Sequence, residues 1–193
     1  MAKQEDTKKT KAELLKEIEE LRERVKELEN PRDPLTGLYN WIHFLTISER
    51  EFERSIRYKR PMSLMLLDVD NLKEINRDYT RACGDQILME VSKRCEDNIR
   101  ELDHIGCYEG GKFILLLVET DRLNAKKAGE RIRRVVISRP ILTDKGPVKV
   151  TVSVGVAGRV SPMTDISALL EKADEALFLA KDRGRNRVET STN

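Results

Sequence analysis

"RELDHIGCYEGGKFILLL", residues 100–117, is the stretch whose reading decides the fold. It sets Arg100 and Asp103 in one Arg-x-x-Asp unit, then a Gly110–Gly111 pair flanked by Glu109 and Lys112, then an apolar run from Phe113. A glycine pair between two strand-like runs is a hairpin signal, so "HIGCYEGGKFILLLVE" reads as two strands around a tight turn. Such a turn lets backbone amides approach a phosphate, because glycine has no Cβ in the way. Arg100 and Asp103 fall at the expected end of a helix, where both can project to one side. Arginine grips phosphate oxygens or the O6/N7 edge of guanine in a fork. Aspartate accepts from the N1 and N2 donors of guanine. The pair is therefore either a guanine-nucleotide grip or a surface salt bridge.

Outward from the hairpin, "MSLMLLDVD" is a buried strand that ends in two acids, Asp68 and Asp70. Acids at a strand's carboxyl end lie where α/β sheets place ligands. One of them can hold a divalent metal such as Mg²⁺ through oxygen, or cap the helix that starts near Asn71. "NWIHFLTISEREFERSIRYKR", "NLKEINRDY", "GDQILMEVSKRCEDNIR", "RLNAKKAGERIRRVV" and "DISALLEKADEALFLAKDRG" read as helices, the last with Gly184 as its stop. "VKVTVSVGVAGRV" alternates as a strand. Helices interleaved with strands, plus one hairpin, predict an α/β fold whose sheet is covered by helices. "KDRGRNR" gathers Lys181, Arg183, Arg185 and Arg187 at a helix end. Cations there complement the helix dipole or grip phosphates.

The chain has 193 residues, enough for one domain and an appendage. With 36 basic and 34 acidic residues its net charge is +2, so no whole-protein field draws nucleic acid or an anionic membrane. No apolar run is long enough to span a bilayer. The polar start "MAKQEDTKKTK" has no apolar signal region. Cys83, Cys95 and Cys107 are odd in number and lack metal-site spacing, which predicts free thiols and a cytoplasmic location. The first ten residues are charged and expected to be disordered. Leu14, Ile18, Leu21, Val25 and Leu28 then step as a heptad seam, with Leu and β-branched residues in the alternation that favours a parallel two-stranded coil. Glu17 facing Arg22, and Arg24 facing Glu29, would be attractive pairs across that dimer. Pro31 and Pro34 end the helix. The division expected is 1–30, a disordered start and dimerising coiled-coil helix, and 31–190, the globular domain.

Taken together, "DPLTGLYN", "LDVDNLKEIN", "GDQIL", "EGGKF", "VSVGVA" and "ADEALFLAKDRGRNRV" resemble, in order and spacing, the landmarks of the GGDEF (diguanylate cyclase) family, from residue 33 to residue 188. The resemblance implies a five-stranded central sheet flanked by helices, similar to nucleotidyl cyclases and polymerase palms. Members join two GTP molecules into cyclic di-GMP across a dimer. By this resemblance Asp68 matches the metal-binding acid of the first strand, with Val69 offering its carbonyl. Asn76 and Asp85 match the guanine-reading pair, and Lys181 and Arg185 match the cations on the triphosphate.

The signature turn departs from the family. Its five positions hold Glu109, Gly110, Gly111, Lys112 and Phe113. Glu109 stands where the family has its first glycine, Gly111 where it has a metal-binding acid, and Lys112 where it has the next glutamate. Phosphoryl transfer depends on neutralising phosphate charge, so these changes imply a vestigial GTP site and no cyclase activity. Trp41–Ile42 in place of the family's arginines, and Thr80–Arg81 in place of Gly-His, point the same way. "RELD", by contrast, sits where the family has its product-inhibition motif, five residues before the signature, and Arg131 in "AGERIRR" matches the arginine which that site recruits. The expectation is therefore a non-enzymatic cyclic di-GMP receptor, binding through Arg100, Asp103 and Arg131. It would need no cofactor, and Mg²⁺ only if GTP still binds. It would dimerise through the coiled coil and act on a protein partner that the sequence does not name. A weak cyclase and a GTP-sensing module are the alternatives.

Overall fold

The computed structural model describes residues 10, 11, 13–19, 25, 30–160 and 163–191. Residues 11 and 13–19 are helical. Leu14, Ile18 and Val25 of the expected seam are exposed. Leu21 and Leu28, with Arg22, Arg24 and Glu29 of the expected charge pairs, lie outside the described residues, as does most of the charged start.

The centre of the domain is strand β1, Met62–Val69, nearly every residue of which is buried. A strand covered on both faces shows no polar alternation, which is why its sequence reads as a continuous apolar run. The alternation is still there in the packing. Met65, Leu67 and Val69 join one core cluster, and Met62, Leu64 and Leu66 the other. Successive side chains of a strand point to opposite faces, so one sequence feeds two cores.

On one side β1 pairs antiparallel with β3, Lys112–Val118, which pairs in turn with β2, His104–Cys107. On the other side it pairs antiparallel with β6, Val152–Gly158, and β6 pairs parallel with β7, Val188–Thr190. The sheet is thus five-stranded and mixed, in the order β2-β3-β1-β6-β7. A separate hairpin joins β4, Ile141–Thr143, to β5, Gly146–Val148.

Helices cover both faces. α1 (Trp41–Arg57) and α5 (Ile166–Asp182) supply Phe44, Phe52, Leu169, Ala173 and Leu177 to the core that holds Leu64 and Leu66. α3 (Arg81–Glu96) and α4 (Arg122–Ile137) supply Ile87, Val91, Ile132 and Val136 to the other, and the short α2 (Leu72–Asp78) leans Leu72 and Ile75 against it. Each long helix starts on a side-chain cap of the type that accepts orphan amides: Asn40, Thr80, Asp121 and Asp165.

The expected hairpin forms, with Glu109–Gly111 as a single turn of 3₁₀ helix between β2 and β3. Two local expectations change. Helix α3 stops at Glu96, so Arg100 and Asp103 lie in the turn beyond it and not at the helix end itself. Asp70 does not cap α2: Asn71 occupies that position with φ 57° and no side-chain cap bond.

Candidate functional site

The carboxyl end of β1 opens into a cleft of about 450 Å³. Asp68, Asn76, Glu109, Lys112, Lys181 and Arg185 line it. Four elements meet there: the end of β1, helix α2, the signature turn, and the end of α5 with the loop that follows.

The two acids of β1 divide their work. Asp70 is only 5% exposed. Its carboxylate accepts from Thr151 Oγ1 and Ser153 Oγ, both at 2.6 Å, and from the backbone N–H of Asn186 at 3.1 Å. It therefore ties β1 to β6 and to the loop that carries Arg185. Asp68 faces the cleft. Its Oδ2 meets Lys181 Nζ at 2.5 Å, with the lysine side chain 35% and the aspartate side chain 13% exposed. Water still reaches this pair, so it orients both groups more than it stabilises the fold.

Asn76 projects from α2 into the cleft. Its Oδ1 is buried and has no hydrogen-bond partner. It fits only because residue 84 is glycine: a Cβ there would stand 1.9 Å from Asn76 Oδ1. Asp85, next in sequence on α3, is half-buried and is not among the residues lining the cleft. Of the expected guanine-reading pair, Asn76 lines the cleft and Asp85 does not.

The signature turn forms the opposite rim. Gly110 and Gly111 both have positive φ, 63° and 88°. A Cβ at Gly111 would push aside the Leu72 Cδ2 methyl 2.8 Å away, and it is the positive φ that favours glycine there. Lys112 stands directly opposite Asp68 in the β1–β3 register. Its ammonium lies 4.0 Å from Asp174 Oδ1 and 5.6 Å from the centre of the Tyr108 ring. Burial, with the nearby Glu109 and Asp174 carboxylates, raises the Tyr108 phenol above its usual range. Trp41 packs edge-on against the same ring, 4.9 Å between centroids. Its aromatic character could be read from sequence, but its contact with Tyr108, the residue before the signature turn, could not.

The described protein donors do not by themselves make a closed metal site, whereas a Mg²⁺ ion that substrate phosphates help to hold needs only one or two carboxylates. Among the described residues no group of three His, Cys, Asp or Glu side chains could hold an ion. Asp68 is held by Lys181, and Gly111 offers no carboxylate.

Away from the cleft, the structure gathers the second set of expected residues around the 98–103 turn. Asp103 and Arg100 do not form an ion pair with each other. Asp103 Oδ2 accepts from the Arg100 N–H at 3.0 Å and Oδ1 from the Val118 N–H at 3.2 Å, which fixes the turn against β3. Arg131 reaches across from α4 and donates to the Asn98 carbonyl at 2.8 Å. It also lines a shallow hollow with Lys126, Lys127 and Arg134. Arg100 is exposed, and its guanidinium has no partner among the described residues.

A helix-covered mixed sheet of the nucleotidyl cyclase type, with a polar cleft at the end of its central strand, is the class that these features define. The chain belongs to the GGDEF family: the family profile described as "Diguanylate cyclase, GGDEF domain" matches residues 30–187. It is 36% identical over 181 residues to the diguanylate cyclase DosC of Escherichia coli (strain K12), covering 93% of this chain and 39% of DosC. It is 33% identical over 158 residues to the response regulator PleD of Caulobacter vibrioides (strain NA1000 / CB15N), covering 81% of this chain and 35% of PleD. The chain thus spans well under half the length of these relatives. Among solved structures, diguanylate cyclase SiaD from Pseudomonas aeruginosa, in complex with its activator SiaC, superposes with a TM-score of 0.80 at 34% identity, covering 92% of this chain and 68% of that one. The coiled coil and GGDEF domain of DgcB from Caulobacter crescentus, in complex with c-di-GMP, gives 0.79 at 27%, covering 93% and 96%.

These relatives correct one expectation. The altered signature by itself implies that the chain is not an enzyme. Proteins named diguanylate cyclases match it at 36% identity over most of its length, which overturns that reading. No described helix is long and apolar enough to cross a membrane.

Proposed function

We propose that the chain is a slow diguanylate cyclase domain that also binds its product, cyclic di-GMP, at a second site. The observation that carries the first half is the cleft itself, where Asp68, Asn76, Lys181 and Arg185 converge at the end of β1. In this reading Lys181 and Arg185 hold the triphosphate, and Asn76, with Asp85 beside it, reads the guanine edge. Asp68 keeps the Lys181 ammonium in place. Two domains each present one GTP. The 3′-hydroxyl of one attacks the α-phosphorus of the other and pyrophosphate leaves, twice, to close the ring.

The rate is low because the signature turn supplies no carboxylate at Gly111 and sets Glu109 on the rim. Charge neutralisation at a transferring phosphate is worth several kcal/mol, so the shortfall is on the order of 10²–10⁴-fold in rate. On this reading the domain is 31–190, and dimerisation falls to the coiled-coil segment expected after the disordered start within 1–30.

The product site comprises Arg100, Asp103 and Arg131. An exposed guanidinium with no partner among the described residues, beside a carboxylate held rigid by two backbone amides, is supported as a guanine grip by simple chemistry. Calorimetric titration tests both halves. The intact chain should bind cyclic di-GMP, and Arg100→Ala should lose most of that heat while still binding GTP. Absence of cyclic di-GMP binding by the intact chain would refute the product site. Absence of GTP binding, with or without Mg²⁺, would refute the cleft assignment.

A further inference from the structure

The loop after α5 runs through three successive left-handed residues, Gly184, Arg185 and Asn186, with φ of 103°, 61° and 46°. Glycine takes that conformation freely, whereas arginine and asparagine take it against the crowding of their own Cβ. Strain of this kind persists where the surrounding contacts over-determine the backbone. Here they do. The Arg185 N–H donates to the Ala180 carbonyl, in the last turn of α5, at 3.0 Å. The Asn186 N–H donates to the buried Asp70 carboxylate at 3.1 Å. Helix α4 holds the Asn186 side chain: Arg133 Nη1 donates to Asn186 Oδ1 at 2.9 Å. Arg133 is itself aimed by Glu130, whose Oε2 accepts from its Nε at 3.1 Å and its Nη2 at 3.0 Å.

The three arginines of this loop are not equivalent. Arg183 meets the Glu189 carboxylate at 3.0 Å and Arg187 meets it at 3.8 Å. The Arg185 guanidinium has no partner among the described residues, and Arg185 alone of the three lines the cleft.

We propose that Arg133 and Asn186 are positioning residues for Arg185. Helix α4 holds the Asn186 side chain, Asn186 holds the strained turn, and the turn presents the Arg185 guanidinium to a nucleotide in the cleft. The inference rests on the reading of the cleft as a nucleotide site and adds what sets the geometry of one of its walls. Neither Arg133 nor Asn186 lines the cleft, so each acts through the loop. An arginine on an unconstrained loop has to be ordered when the ligand binds, and that ordering is lost from the affinity.

The test is calorimetric titration of a non-hydrolysable GTP analogue with Mg²⁺ into the full chain, with Arg133→Ala and Asn186→Gly beside the intact protein and thermal unfolding as the check on folding. Asn186→Gly removes the side chain that Arg133 holds but takes φ 46° freely, so its Tm should stay within about 3 °C of the intact chain. Both variants should weaken binding roughly three- to tenfold, the range set by ordering one long side chain on binding. In an Arg185→Ala background the same substitutions should add less than about twofold, because residues that act through Arg185 then have nothing to position. Intact affinity in either variant overturns the proposal. So does a full additional loss in the Arg185→Ala background, which would mean that the two residues act elsewhere. Both of these results leave the nucleotide site standing, whereas absence of binding by the intact chain overturns the site and the proposal together. If Arg133→Ala unfolds, Arg133→Lys, which keeps the charge but loses the fork that joins Glu130 to Asn186, is read by the same criteria.

Discussion

Asp70→Ala separates the two acids at the end of β1. Asp70 is 5% exposed and accepts three hydrogen bonds, from two hydroxyls and one backbone amide. Removing its carboxylate strands Thr151 Oγ1, Ser153 Oγ and the Asn186 N–H. Each stranded buried group costs roughly 1–3 kcal/mol. Ser153 is fully buried, whereas Thr151 is half-exposed and recovers part of its loss to water. Relief from burying a charge offsets a further part, which leaves a net cost of about 3–5 kcal/mol, the usual range for breaking a buried ionic contact. In a domain of this size each kcal/mol lowers Tm by roughly 2–4 °C, so a fall of about 6–20 °C is expected. Asp68→Ala removes a partner from Lys181, whose side chain is 35% exposed, and costs about 0–1 kcal/mol. Thermal unfolding followed by circular dichroism, with both variants beside the intact chain, reads the difference. Asp70→Asn, which keeps the shape and loses the charge, should fall between. Equal losses in the two alanine variants, or an Asp70→Ala shift below about 2 °C, would refute the division of roles.

Other outcomes follow from single features. Gly111→Glu places a side chain at φ +88°, so the variant should lose about 1–3 kcal/mol, read by urea unfolding, while the returned carboxylate should raise turnover if its loss is what slows the domain. Burial pushes the Cys95 thiol up to about 12 and the Cys107 thiol up to about 11, against 9.0 for an unhindered group. The unfolded thiols release their protons first, so stability from these groups is complete below pH 9 and drains away as pH rises towards 11–12. Urea titrations across that range should show a falling midpoint, reduced by Cys95→Ser after correction for the lost packing. Leu21→Pro should lower the sedimenting mass if the 1–30 helix makes the dimer, and an unchanged mass would remove that helix from the interface.

The fold was legible where the pattern was long. β1 and β3 read as apolar runs, the glycine pair marked the β2–β3 hairpin, and the helices carried their own caps. β4, β5 and β7 each span three residues, too short to show a period, and were missed. At the site, the sequence singled out Asp68, Asn76, Asp85, Lys181 and Arg185, and the fold brings all of these except Asp85 to one cleft. It could not divide Asp68 from Asp70, because the partners that decide their roles lie far along the chain: 113 positions away for Lys181, 81 and 83 for Thr151 and Ser153. That Lys112 stands opposite Asp68 follows from the strand register, which the sequence does not show. The signature turn is five residues of a domain whose other landmarks match, and the relatives correct the expectation that its changes end catalysis.

The central claim, slow conversion of GTP in the β1 cleft, is tested most directly by a time course of cyclic di-GMP formation. Concentrated intact chain would be incubated with GTP and Mg²⁺, and again with Mn²⁺, and the product quantified by mass spectrometry beside Asp68→Ala. The account predicts slow, linear accumulation by the intact chain and clearly slower accumulation by Asp68→Ala. Absence of product from the intact chain over many hours, or equal accumulation in both, would contradict it.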